Sequence, residues 1–216
     1  MHGTRFLKQY FFLILGLFFM GLGISLVTRS MLGTPPISSV PYVLCLSYPV
    51  TFGELTFAFS LVFLLGEILI LRGDFEKRQY LQVFVGFFLG LFVDTGMFLT
   101  TPVQPVSYPE EITVLLCGCV ILALGIYLQV SSNAIMNPGE GLVKAIATKT
   151  GKRFGIVKVA FDSTLVSGAA AISIITLGSI QGLREGTVIS AALVGYIIIG
   201  LGLIFNRFGF ESWLTE

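Results

Sequence analysis

The sequence predicts an all-α integral membrane protein with six transmembrane helices, and three observations support this fold class. Of the 216 residues, 55% are hydrophobic and only 12% are charged, and the mean hydropathy is +0.91. A soluble domain of this size cannot bury so much apolar surface in one core, whereas lipid can cover it. The apolar residues form long runs without the period-two alternation of a membrane β-barrel. The order of these runs also repeats along the chain.

Six apolar runs are each long enough to cross a hydrocarbon core, which takes about 20 helical residues. The first run is too long for a removable signal peptide and has no convincing small-residue cleavage site, so we expect it to be the first transmembrane helix. The six predicted spans are 8–29, 51–71, 79–100, 110–131, 154–177 and 186–206. Two inserts, 34–49 and 136–153, are too short and too broken to span, yet too apolar for simple solvent loops.

Lys and Arg residues concentrate on one side of the predicted bundle, which sets its orientation by the positive-inside rule. With the N-terminus inside, the outer side holds only Arg29 and Arg184. The inner side holds Arg5, Lys8, Arg72, Lys77, Arg78, Lys144, Lys149, Lys152, Arg153 and Arg207. Both termini are therefore predicted to be cytoplasmic.

The chain matches itself at a shift of 102 residues. This shift places Pro36 on Pro138 and Phe52 on Phe154. Each half then contains a span, a broken insert and two further spans, and three crossings per half turn the second half upside down. Inverted repeats with Gly/Pro-interrupted segments in corresponding positions are typical of transporters that bind substrate near the midplane. The predicted repeats comprise residues 1–104 and 105–216.

The two inserts, TPPISSVPYVL and NPGEGLVKAI, are predicted to be short re-entrant helices that enter from opposite faces. Proline suits the first helical turn, and irregular backbone at membrane depth is tolerated only beside protein or a water-filled cavity. Ser38 and Glu140 occupy equivalent places, where the free N–H groups of a helix N-terminus can hold a carboxylate. The alternative is that both inserts lie flat on the membrane surface.

Several ionisable residues fall within the predicted spans, where each costs about 2.5–3.5 kcal/mol unless it is paired or lines a cavity. Asp162 lies near mid-depth, and Lys158 precedes it by one helical turn on the same face. Asp94 lies in the outer half of the third span. For Lys158 and Asp162 the alternative is a structural ion pair. Glu67 and Glu185 lie near span ends, where reaching out to water explains them.

We therefore predict a shared polar cavity to which one half contributes acids and the other hydroxyls. Such a cavity suits a small cationic or zwitterionic solute, with proton or sodium coupling through the carboxylates as an option. The serines have a structural alternative, because hydroxyls in membrane helices often form helix–helix hydrogen bonds. The candidate substrate-binding residues are Glu140, Asp162, Asn137, Ser38, Ser39, Asp94 and Lys158.

The sequence offers little for catalysis, metal binding or nucleic-acid binding. His2 is the only histidine and lies in the N-terminal tail, and Cys117 and Cys119 diverge on a helix because they are two residues apart. We therefore expect no enzyme activity, no metal site and no cofactor. The net charge of +1 indicates no nucleic-acid partner.

The segment GISLVTRSMLGTPPISSVPYVL, followed by FGELTFAFSLVFLLGE, resembles the YczE/YyaS/YitT group of uncharacterised bacterial membrane proteins. The later pieces NPGEGL, GIVKVAFD and REGTVISAALVG are similar to that group as well, so the resemblance covers most of the chain. It implies a multi-pass protein of the bacterial inner membrane and leaves the activity open.

Three functions are compatible with these features. The first is a small secondary transporter or solute-binding membrane protein. The second is a non-transporting partner that regulates another enzyme through the basic stretch KAIATKTGKR. The third is the substrate-binding subunit of a larger transport complex. The expected partners are a small-molecule solute and membrane lipid, and a homodimer stays open.

Overall fold

The computed structural model describes residues 2–207, and its regular secondary structure there is helical. The last residues of the predicted second repeat, 208–216, lie outside the described part. A single turn of 3-10 helix, Pro36–Ser38, leads into the second helix. The α-helices are α1 (His2–Arg29), α2 (Ser39–Ser47), α3 (Phe52–Leu71), α4 (Gln82–Leu99), α5 (Tyr108–Ser131), α6 (Pro138–Thr150), α7 (Phe154–Leu177) and α8 (Glu185–Arg207).

Six of these helices are long and apolar enough to cross a membrane, namely α1, α3, α4, α5, α7 and α8. The prediction of an all-helical chain with six apolar helices of spanning length is therefore confirmed. At the first span α1 begins at His2, six residues before the predicted start, and at the third span α4 begins at Gln82 rather than at residue 79. Residues Lys77–Leu81 form a 3-10 turn instead, which Glu76 and Gln79 close with a capping box.

The centre of the bundle is the pair α1 and α5, which pack along most of their length. Glycines allow this approach: a Cβ built on Gly16 would lie 2.8 Å from the Gly125 carbonyl oxygen, and a Cβ on Gly118 would lie 2.7 Å from the Val27 nitrogen. Small residues let membrane helices approach closely and gain van der Waals contact. The leucines of the core, Leu17 and Leu115 among them, are fully buried around this pair.

The loops and helix ends gather at two opposite ends of the bundle. At one end, which we call the outer end, Arg29 donates to the Met97 carbonyl at 3.1 Å and Arg184 donates to the Met31 carbonyl at 3.1 Å. At the other, the inner end, Lys149 and Asp74 form an ion pair at 2.8 Å. The names follow the predicted orientation, which stays a prediction.

The turns that precede the two short helices α2 and α6 are built alike. Ser30 Oγ donates to the carbonyl three residues earlier at 2.6 Å and accepts from the N–H two residues later at 3.3 Å. Ser132 Oγ makes the same two bonds at the same distances. The residue after each serine has a positive φ, 62° at Met31 and 48° at Asn133. The equivalence at a shift of 102 residues thus extends to the detail of the backbone.

The two short helices lie inside the bundle. Both α2 and α6 pack between α3 and α7, and Val43 and Val143 are fully buried on them. This packing disagrees with the alternative in which the inserts lie flat on the surface, away from the other helices.

The two halves differ in how their last two long helices pack. In the first half, α3 and α4 are close, since a Cβ on Gly86 would lie 2.6 Å from the Ser60 Cβ and a Cβ on Gly90 would lie 2.5 Å from the Gly53 carbonyl oxygen. In the second half, α7 and α8 make almost no direct contact. A Cβ on Gly155, the equivalent of Gly53, would meet nothing within 4 Å.

Candidate functional site

A cavity of about 780 Å³ lies where the two short helices begin. We call it the central cavity. Its walls come from all eight α-helices and from the 3-10 turn before α2. Most of these helices are long spans, so the cavity lies within the bundle.

The short helices begin at the cavity because their first residues are suited to a helix start. Pro36 and Pro138 each occupy a first-turn position, where no N–H is needed. Asn137 caps α6 by accepting from the Gly139 N–H at 3.1 Å. A Cβ on Gly139 would collide with the Ile37 side chain, so glycine lets the starts of the two short helices meet.

One wall of the cavity carries charged side chains from α6 and α7. Lys158 Nζ and Asp162 Oδ1 form an ion pair at 2.6 Å, and both side chains are mostly buried. Glu140 lines the same cavity, and no hydrogen bond or ion pair to its carboxylate occurs within residues 2–207.

A second group of lining residues, Ser38, Thr56 and Ser60, carries hydroxyls, and we call it the hydroxyl wall. Thr56 Oγ1 donates to the Phe52 carbonyl at 2.8 Å, and Ser60 Oγ donates to the Thr56 carbonyl at 2.9 Å. Each of these two hydroxyls has only one proton to donate, so its remaining capacity is that of an acceptor. This wall can therefore accept hydrogen bonds from a cationic group.

The two walls are equivalent at the shift of 102 residues. Ser38, Thr56 and Ser60 of the first half correspond to Glu140, Lys158 and Asp162 of the second, and all six line the central cavity. Thr56 was not among the candidate residues of the sequence. The signal that could have found it is its correspondence with Lys158.

The structure does not bring every candidate residue to the cavity. Ser39 is fully buried, and its hydroxyl donates to the Pro36 carbonyl at 2.6 Å. Asp94 accepts from the Thr51 hydroxyl at 2.6 Å and from the Gly53 N–H at 2.7 Å, so it stabilises the start of α3. Neither lines the cavity, whereas Asn137, Ser38, Glu140, Lys158 and Asp162 do.

The structure corrects the explanation of Glu67. Its carboxylate does not reach out to water, because the residue is only 1% exposed. Gln79 and Gln82 donate to its two oxygens at 2.8 Å and 2.9 Å. Glu185, by contrast, is exposed at the start of α8 and is bonded to Arg184 at 2.9 Å.

A model of a family of unknown function, DUF6198, matches residues 7–201, a range that contains every residue lining the central cavity. No curated protein and no solved structure matches the chain.

Proposed function

The chain belongs to the DUF6198 family, whose function is unknown, and from its central cavity we propose that it is a small secondary transporter for a small organic cation or zwitterion. The observation that carries this proposal is the pairing of a charged wall with a hydroxyl wall at equivalent positions of the two halves. Ionisable side chains at membrane depth are costly, and they usually mark a substrate or ion pathway.

The charges of the cavity favour a solute with a positive group. Lys158 and Asp162 neutralise each other in their ion pair, so Glu140 leaves one negative charge. An ammonium group can bind Glu140 and the oxygens of the hydroxyl wall. In a zwitterion, the carboxylate would turn toward Lys158.

The size and the remaining lining of the cavity suggest a solute with an apolar body. The volume of about 780 Å³ lies in the range of small-molecule sites, roughly 300–1,000 Å³. Apolar side chains make up most of the lining, including Met20, Ile24, Phe59 and Phe63. A small amphipathic amine or amino acid fits this combination better than a bare ion.

We further propose that the two halves form an inverted repeat around this site. Three facts support it: the equivalent serine turns, the central pairing of α1 with α5, and the packing of α2 against α7 and of α6 against α3. In transporters with inverted repeats the substrate site lies near the midplane at the repeat interface. The excess of Lys and Arg at the inner end supports cytoplasmic termini, and the resemblance to the YczE/YyaS/YitT group supports a bacterial inner membrane.

The different packing of the two halves suggests how access alternates. In the described state α3 and α4 are closed on each other, while α7 and α8 are apart. If the halves exchange these arrangements, α7 closes on α8 and α3 separates from α4. Rocking or gating of one repeat against the other is how such transporters expose a site to each side in turn.

The test is binding and flux with the purified full chain. A panel of amines, amino acids and other metabolites is first screened by thermal shift, and each solute that stabilises the protein is then assayed for uptake into proteoliposomes. We expect saturable uptake of at least one cationic or zwitterionic solute. The Glu140→Gln variant should lose at least tenfold in affinity, because it keeps the size of the side chain but removes the charge.

The matched control is Glu54→Gln, which removes an exposed acid at the outer end of α3. Its solute affinity should be that of the native chain. Glu140→Gln binding the solute as well as the native chain does would contradict the proposal. Uptake that occurs only with a co-purifying ATPase would instead favour a subunit of a larger transport complex.

A further inference from the structure

A second pocket, of about 380 Å³, lies at the inner end of the bundle. We call it the inner pocket. It lies between the inner part of α3, the start of α4, the end of α5 and the first turns of α6. Its lining includes Glu67, Gln82, Gln129, Glu140, Gly141 and Lys144.

Two residues that line this pocket each have a buried amide oxygen without a hydrogen-bond donor. Gln82 is 1% exposed, and its Nε2 donates to Glu67 Oε2 at 2.9 Å. Gln129 is 2% exposed, and its Nε2 donates to the Ile135 carbonyl at 3.2 Å. These acceptors set which way each amide points, so the Oε1 atoms of Gln82 and Gln129 are left without a partner. A buried acceptor without a donor is destabilising unless something else satisfies it.

The Glu67 carboxylate contributes a charge to the same place. The side-chain amides of Gln79 and Gln82 hold its two oxygens in position. A Cβ on Gly141 would lie 2.5 Å from Glu67 Oε2 and 3.1 Å from Gln82 Oε1. The Glu67 carboxylate and the Gln82 amide oxygen therefore lie together beside Gly141, where a larger side chain would intrude.

The charges indicate a single positive charge on the ligand. The acids that line the pocket are Glu67, Glu76 and Glu140, and the bases are Arg78 and Lys144, so the acids exceed the bases by one. Within residues 2–207 no group of three or more His, Cys, Asp or Glu side chains could hold a metal ion, whereas Ca²⁺ sites use several carboxylates. Carbonyl oxygens with one carboxylate suit a monovalent ion better.

We propose that the inner pocket binds a small monovalent cation, an alkali ion or an ammonium group, through Glu67 and the amide oxygens of Gln82 and Gln129. The two amide oxygens without donors gain a partner in this way, and the Glu67 charge is compensated. The rest of the pocket leaves room for water around the ion.

Glu140 connects this pocket to the substrate site, because it lines both the inner pocket and the central cavity. A cation in one and a solute in the other act on the same carboxylate. The inner pocket would thus provide the coupling ion of transport. This coupling depends on the proposed function, whereas cation binding itself does not.

The experiment measures cation binding to the purified full chain in the absence of solute. Sodium chloride replaces N-methyl-D-glucamine chloride at constant ionic strength, and melting temperature and bound radioactive sodium are followed. Potassium, ammonium and methylammonium chlorides form parallel arms that separate alkali ions from amines. We expect a saturable rise in melting temperature with at least one of these cations, because a ligand of the folded state stabilises it.

Two variants locate the site. Gln129→Val introduces the residue type of the equivalent position in the first half, Val27, and should weaken cation affinity at least tenfold. Glu67→Gln should remove saturable binding. The control Glu54→Gln, at the opposite end of α3, should leave affinity unchanged.

The proposal is overturned if no cation binds saturably to the native chain, or if Glu67→Gln binds as the native chain does. Should Glu67→Gln fail to fold, Gln129→Val with native affinity would overturn it as well. Cation binding without any solute uptake would support the inner pocket while contradicting the transport function, so the two proposals are tested separately.

Discussion

At the scale of single residues, the stretch NPGEG shows how closely spaced residues can have separate structural roles. Asn137 caps α6 and Pro138 begins it. Gly139 allows contact with Ile37, and Gly141 allows contact with the Glu67 carboxylate. Between the glycines, Glu140 is left to face both cavities. The break in the apolar pattern is therefore needed both for packing and for placing a carboxylate.

Asp162→Asn tests whether the ion pair on α7 has a role beyond structure. The change leaves the Lys158 ammonium without its partner, so we expect a loss of stability of about 1–3 kcal/mol together with weaker solute binding. Denaturation of the purified protein measures the first, and thermal-shift titration the second.

A double variant separates the two effects. Lys158→Met together with Asp162→Asn removes the uncompensated charge and should recover most of the stability, because a broken pair costs more than an absent one. Its solute binding should stay impaired. A double variant that binds and transports as the native chain does would reduce the pair to a structural role.

At the scale of helices, the apolar pattern alone does not predict where the two short helices begin or which helices they contact. Proline marked both starts, and Asn137 caps α6 in the usual way. Each short helix, however, packs between α3 and α7, so one of its two neighbours comes from the other half of the chain. Gly139 and Gly141 allow the close approach of α6, whereas the glycines of α7 make no such contact.

Gly139→Ala tests the contact between the starts of the two short helices. The new Cβ meets Cδ1 of Ile37, the end of a flexible side chain that must shift, so we expect a small loss of stability, at most about 1 kcal/mol, and a lower solute affinity. Chemical denaturation of the purified protein gives the change in the free energy of unfolding.

The matched control is Gly155→Ala, since a Cβ there meets nothing within 4 Å and alanine favours a helix. It should leave stability unchanged or raise it slightly. Equal stabilities for Gly139→Ala and Gly155→Ala would contradict a close approach of the two short helices.

At the scale of the whole molecule, the difference between the halves predicts a second state. Gly53 lies against Gly90 in the described state, and the equivalent pair is Gly155 with Ala192. In the exchanged state this second pair comes together. Cysteines at 155 and 192, in a chain whose native cysteines are replaced by serine, should then crosslink in a fraction of the molecules.

Saturating solute should change that crosslinked fraction at least twofold, because the ligand binds the two states with different affinity. Cysteines at 155 and 175 provide the control, since both lie on α7 and their separation does not change with its packing. A pair at 155 and 192 that never crosslinks, with or without solute, would contradict the exchange of arrangements between the halves.

The sequence by itself determined the helical class, the six long apolar helices, the two broken inserts and the correspondence of the halves. A helix that spans the bilayer needs an apolar run of a certain length, and segments with the same spacing of proline and glycine form similar turns. These features therefore follow from the local sequence pattern. Only the tertiary structure decided that Asp94 caps α3, that Glu67 is enclosed by two glutamines, and that Thr56 and Lys158 line the same cavity. The physical reason is that these partners lie on different helices, and which helix faces touch depends on packing that no single segment encodes.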